Sequence, residues 1–141
     1  MKKMNNKGFS LIELIIVIAI MAVLVAIIAP NLTKYLGKSK SQTDKTNLDE
    51  IKKQFKNAIS DAATDEITDV KGTYIVNKNQ VSIKSGTTSG TGANKFLTVV
   101  SNALDQDTNT KSKVDSSKTK IEVDVSGSDS AGYTITAKFV S

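Results

Sequence analysis

The sequence predicts an α+β chain in which a long N-terminal α-helix packs on a small antiparallel β-sheet headgroup. Three observations predict it. An apolar run opens the chain, a stripe of helical spacing follows it, and two C-terminal stretches alternate apolar with polar residues. The whole chain is 141 residues, enough for one spanning helix and one small domain.

Residues 1–8 are polar and basic, with Lys2, Lys3 and Lys7 ahead of Gly8. Phe9 to Ala29, FSLIELIIVIAIMAVLVAIIA, is a run of 21 residues broken only by Ser10 and Glu13. As a helix it spans about 31 Å, matching a hydrocarbon core of about 30 Å. It is apolar on every side, unlike a surface helix of a soluble domain. A removable secretory signal fits poorly. The run exceeds the usual h-region of about 7–15 residues, no A-x-A-like site follows, and an acid sits near its start. A carboxylate in hydrocarbon costs about 2.5–3.5 kcal/mol, which makes Glu13 a functional candidate. Ala19, Ala22, Ala26 and Ala29 recur at steps of three and four, a spacing that permits close helix approach or simply suits lipid.

Pro30 removes a backbone donor and predicts a kink. Lys38 to Asn47 is polar all round and predicts a weakly held stretch. The stripe then resumes at Leu48, Ile51, Phe55, Ile59, Ala62, Ala63, Ile67 and Val70, with Lys71-Gly72 as its cap. Thr73 to Val76 and Val81 to Lys84 read as a hairpin around residues 77–80. Residues 85–92 read as a Ser/Thr/Gly loop, and Phe96, Leu97, Val100 and Leu104 place a short helix over 93–104. A polar loop covers 105–117. Ile121, Val123 and Val125 then alternate with outward Lys120, Glu122 and Asp124. After a turn at 127–132, Tyr133, Ile135, Ala137 and Phe139 alternate again.

Composition excludes much chemistry. The chain has no His, no Cys and no Trp, and its 19 basic residues are all lysine. No thiol nucleophile, His base, disulfide or ordinary zinc site can be built, so no catalytic residue, metal or cofactor is expected and the chain reads as no enzyme. Beyond the first eight residues, sixteen lysines face fourteen acids, a balance of 16 − 14 = +2. With few aromatics interleaved, this charge predicts a solvated surface and no nucleic-acid partner. Asp105, Asp107 and Asn109 alternate as in a calcium loop, but the turn glycine and closing Glu are missing. Asn31-Leu-Thr33 has glycosylation spacing at the membrane edge and reads as incidental.

Lys7 to Leu14, KGFSLIEL, resembles the type IV prepilin cleavage motif, and the apolar run and Pro30 match that family too. The resemblance implies a pilin fold and processing by a prepilin peptidase that cuts between Gly8 and Phe9 and methylates the new Phe9 amine. It implies that Glu13 of an incoming subunit faces the Phe9 amine of one already assembled. The expected organisation is a leader at 1–8, a transmembrane and filament-core helix at 9–29, a kinked amphipathic continuation at 30–70, and a headgroup at 71–141. Without cysteine, the chain is similar to the disulfide-free pilins of Gram-positive bacteria. Expected partners are further copies in a helical homopolymer, the peptidase and methyltransferase, the assembly platform with its ATPases, and the membrane before assembly. The implied function is a pilus subunit for adhesion, twitching motility or biofilm formation. A pseudopilin of a secretion or DNA-uptake system, and a minor tip adhesin, share the same N-terminal features.

Overall fold

The computed structural model describes residues 9–78, 80–85, 89–104 and 109–141. They fall into two compact units, one ending at Ser39 and one beginning at Lys40. The element order is α1 (Leu11–Thr64), β1 (Gly72–Asn77), β2 (Gln80–Ile83), α2 (Ala93–Ala103), β3 (Lys120–Ser128) and β4 (Gly132–Val140). The four strands form one antiparallel sheet in the order β2-β1-β3-β4. The α+β class expected from the sequence is the class observed.

In the second unit α1 buries Ile51, Phe55, Ala58 and Ala62, spaced by four, three and four residues so that they share one face. Against them lie Tyr74 and Val76 of β1, Ile121, Val123 and Val125 of β3, and Phe96 and Val100 of α2. Three rings from three elements meet at the centre. Phe55 and Tyr74 lie 5.6 Å apart between centroids, Tyr74 and Phe96 5.6 Å, and Phe55 and Phe96 6.2 Å. The tilted and edge-on angles suit aromatic quadrupoles. The Tyr74 hydroxyl donates to the Val70 carbonyl, so the buried ring leaves no polar atom unmatched. Burial raises its pKa well above the usual range.

The helix ends at Thr64, not at the Val70 expected from the stripe. The Ile67 amide reaches back to the Ala62 carbonyl at 2.9 Å and the Glu66 amide to Ala63 at 3.3 Å. These two bonds and the left-handed Glu66, with φ of 57°, make a Schellman motif. Gly72 opens β1 and caps nothing. Ile67 and Val70 still face the core, but from irregular backbone past the helix end, at a spacing that mimics the helical period. The segment 67–71 then packs on the chain before α2. Gly90 donates to the Lys71 carbonyl at 2.7 Å and Gly92 to the Asp69 carbonyl at 3.2 Å. A Cβ on Gly90 or Gly92 would meet backbone oxygen at 1.8 or 1.9 Å, so only glycine permits this approach.

The hairpin is tighter than the sequence suggested. Asn77 pairs with Gln80, leaving a two-residue turn whose first member, Lys78, has φ of 56°, as a type I′ turn requires. Its second member, Asn79, lies outside the described residues. The β3–β4 turn also shortens, because Ser128 pairs with Gly132.

Two carboxylates depart from the polar-outside reading. Asp44, in the stretch expected to be weakly held, is 8% exposed. It accepts from the Ser112 hydroxyl at 2.5 Å, the Lys113 amide at 2.6 Å and the Val114 amide at 3.3 Å. Burial by itself raises its pKa, but the Lys113 amide, the Ser112 hydroxyl and the Val114 amide outweigh that and hold it below the usual carboxylate range. Glu122, expected outward, is also 8% exposed. It is covered by Lys138 at 2.7 Å and Lys84 at 2.5 Å. Lys138 first and Lys84 second depress its pKa against the cost of desolvation.

Candidate assembly site

From Leu11 onward the first unit is helical. From Phe9 to Leu36 its large apolar side chains are between 47% and 85% exposed, Ile15 at the lower limit and Phe9 at the upper. A soluble monomer rarely exposes more than a few hundred Å² of contiguous apolar surface. This segment is long and apolar enough to cross a membrane by length and composition.

α1 starts at Leu11 because Ser10 is its N-cap. The Ser10 carbonyl receives the Glu13 amide at 3.1 Å and the Leu14 amide at 3.3 Å. Glu13 reaches back in turn, its Oε2 accepting the Ser10 N–H at 2.8 Å. This is the carboxylate arm of a capping box, with the spacing Ser10-Leu11-Ile12-Glu13. Glu13 therefore has a local task that sequence reasoning missed, although the Ser-x-x-Glu spacing announces it. A negative charge is also favoured at this end of a helix. The second carboxylate oxygen retains acceptor capacity toward another donor.

Glu13 and Phe9 lie at the same end of the apolar segment, with Phe9 the first described residue. Gly8, the other half of the expected cleavage site, lies outside the described residues, as do Asp105 and Asp107 of the calcium-like spacing. Pro30 sits inside α1, whose helical assignment runs on past it. The Thr33 hydroxyl donates to the Pro30 carbonyl at 3.0 Å. Ala19, Ile20, Val23 and Leu24 line a shallow apolar notch, so one of the four spaced alanines marks a depression on the helix surface. Among the described residues no group of three or more Asp or Glu side chains is placed to hold a metal ion.

Residues 3–29 match the model of the prokaryotic N-terminal methylation motif. Over 96 residues the chain is 35% identical to the prepilin peptidase-dependent protein A of Clostridium perfringens strain 13, covering 67% of this chain and 66% of that relative. Over 44 residues it is 52% identical to the type IV major pilin protein PilA of Myxococcus xanthus DK1622, covering 31% of this chain and 20% of that one. The chain thus spans just under two thirds of the first relative's length and a fifth of the second's. No solved structure matches it. An apolar helix headed by Ser10 and Glu13, the methylation motif and these relatives agree: the chain carries the prokaryotic N-terminal methylation motif and is similar to prepilin peptidase-dependent and type IV pilin proteins.

Proposed function

We propose that this chain is the structural subunit of a type IV pilus. Residues 1–8 act as a leader, the prepilin peptidase cuts between Gly8 and Phe9, and the Phe9 amine is methylated. The protein waits in the membrane on its apolar helix, and the assembly platform and its ATPases move it into an extracellular fibre. The fibre serves adhesion, twitching motility or biofilm formation.

One observation carries this reading: a helix exposed and apolar on every side, with a single acid at its head. Lipid covers such a helix before assembly and sister helices cover it afterwards. Both surroundings are apolar, so transfer between them need not forfeit the 1.5–3 kcal/mol or so that each large side chain gains by leaving water. The acid then sets register. Glu13 of an incoming subunit meets the Phe9 ammonium of its neighbour, and each offsets the other's desolvation. Pro30, which leaves the Ala26 carbonyl without its helical donor, supplies a point where α1 yields on packing. Mass spectrometry of fibres sheared from the cell surface tests the reading. The expected chain begins at methylated Phe9, and fibres built from chains still beginning at Met1 overturn the processing scheme. Replacing Gly8 by a bulky residue leaves the precursor uncut in the membrane fraction.

A further inference from the structure

The loop 109–118 has no regular secondary structure, yet its backbone is fixed. Asp44 takes the Lys113 and Val114 amides together with the Ser112 hydroxyl. Ser112 also donates its amide to the Lys118 carbonyl at 3.0 Å, and its hydroxyl oxygen accepts the Asp115 amide at 2.9 Å. The Thr110 hydroxyl ties the loop to the Thr119 carbonyl at 2.8 Å. What this scaffold presents is unusual for the second unit. Val114, 63% exposed, is the one exposed large hydrophobic side chain among that unit's described residues. Lys111 and Lys113 precede it in the loop, and Lys40 and Lys45 lie within four residues of Asp44 on α1; all four are exposed. None of them forms an ion pair within 4 Å among the described residues.

The other end of the same α1 segment has the opposite charge. Asp61, Asp65 and Glu66 are exposed and pair with no lysine among the described residues. Asp61 lies 17 positions beyond Asp44, roughly 25 Å along the helix, and Asp65 and Glu66 follow just past the helix end at Thr64. Ile67, partly buried beside them, offers apolar surface within the acidic rim. A basic end with an aliphatic knob and an acidic end on one unit are complementary between copies and not within one copy. A contact between two different patches is heterologous, and repeats without closing unless its rotation forms a ring.

We infer that the Asp44-clasped loop 109–118 docks on the acidic exit of α1 in a second copy of this chain. The inference rests on the filament reading and names the headgroup surfaces that meet in it. Lys111 and Lys113 face Asp61, Asp65 and Glu66 of the next copy, and Val114 seats near Ile67. Opposite charges steer the encounter and fix its register.

The chain has no cysteine, so introduced thiols report without background. Cells producing Lys113→Cys with Asp65→Cys in one chain are treated with a short bismaleimide, and fibres are sheared from the same cells. A ladder of dimers, trimers and higher multimers is expected, with only monomer from either single variant. Fibres that yield no ladder overturn the docking and leave the filament reading standing. Dimers from Lys113→Cys alone overturn it too, since they report a symmetric loop-to-loop contact. A ladder without recoverable fibres supports the docking and counts against the filament. Absence of both overturns both. Charge reversal gives a second measurement. Lys111→Glu with Lys113→Glu lowers fibre yield, and adding Asp61→Lys with Asp65→Lys restores it; failure of that restoration, with every variant present in the membrane, overturns the pairing.

Discussion

Asp44 ties α1 to a loop distant in sequence. It is buried, and three donors from a loop some seventy residues away converge on it. Replacing it with Asn removes the charge and one acceptor oxygen, leaving loop donors unmatched at about 1–3 kcal/mol. Hydrogen exchange on the detergent-solubilised chain reads this directly. The Lys113 and Val114 amides, protected in the wild type, are expected to exchange fast in Asp44→Asn while β3 amides stay slow. The sign of the pH dependence follows from the shifts. Asp44 and Glu122 both have folded pKa values below their unfolded ones. Their stabilisation is therefore complete above about pH 4–5 and is lost as pH falls through the lower folded values. Denaturant titrations from pH 7 downward should show this loss, and it should flatten in Asp44→Asn with Glu122→Gln. Neither role was legible in the sequence. Local pattern marks Asp44 as one polar residue among many, and its partners are visible only once the chain has folded.

At the scale of elements the sequence was informative wherever one periodicity ruled. β3 and β4 alternate cleanly, and their inward residues are those observed. α2 ends within one residue of its expected limit. The exit of α1 was misread for a physical reason: Ile67 and Val70 face the same core from irregular backbone, at a spacing a helix also gives. The true stop is the turn at Glu66, held left-handed without being glycine. Glu66→Gly should stabilise the headgroup by about 0.5–1 kcal/mol, since the αL strain of an L-residue exceeds the entropy glycine adds to the unfolded chain. A higher denaturation midpoint with unchanged slope checks it. Phe55→Ala does the opposite. Removing one ring of the aromatic trio joining α1, β1 and α2 should cost about 3–5 kcal/mol, read by the same titration.

For the whole molecule, the sequence made the apolar helix legible because its signal is composition, which needs no tertiary context. Glu13 was legible as an anomaly, and its capping task emerged from the geometry at Ser10. Capping and the proposed charge pairing separate by mutation. Glu13→Gln keeps an acceptor oxygen for the Ser10 amide but loses the charge, whereas Glu13→Ala loses both. Both variants should insert in the membrane and be cleaved normally. Both should yield few fibres if charge pairing governs assembly, and fibre recovery from Glu13→Gln near the wild-type amount would assign Glu13 to capping alone. Shearing, centrifugation and immunoblotting make the comparison.

The clasp on loop 109–118 has a chemical consequence of its own. An acid, two amides and a hydroxyl close that loop reversibly, with no electron transfer and no thiol-exchange catalyst. The headgroup can thus reach its final form equally well in a reducing or an oxidising medium.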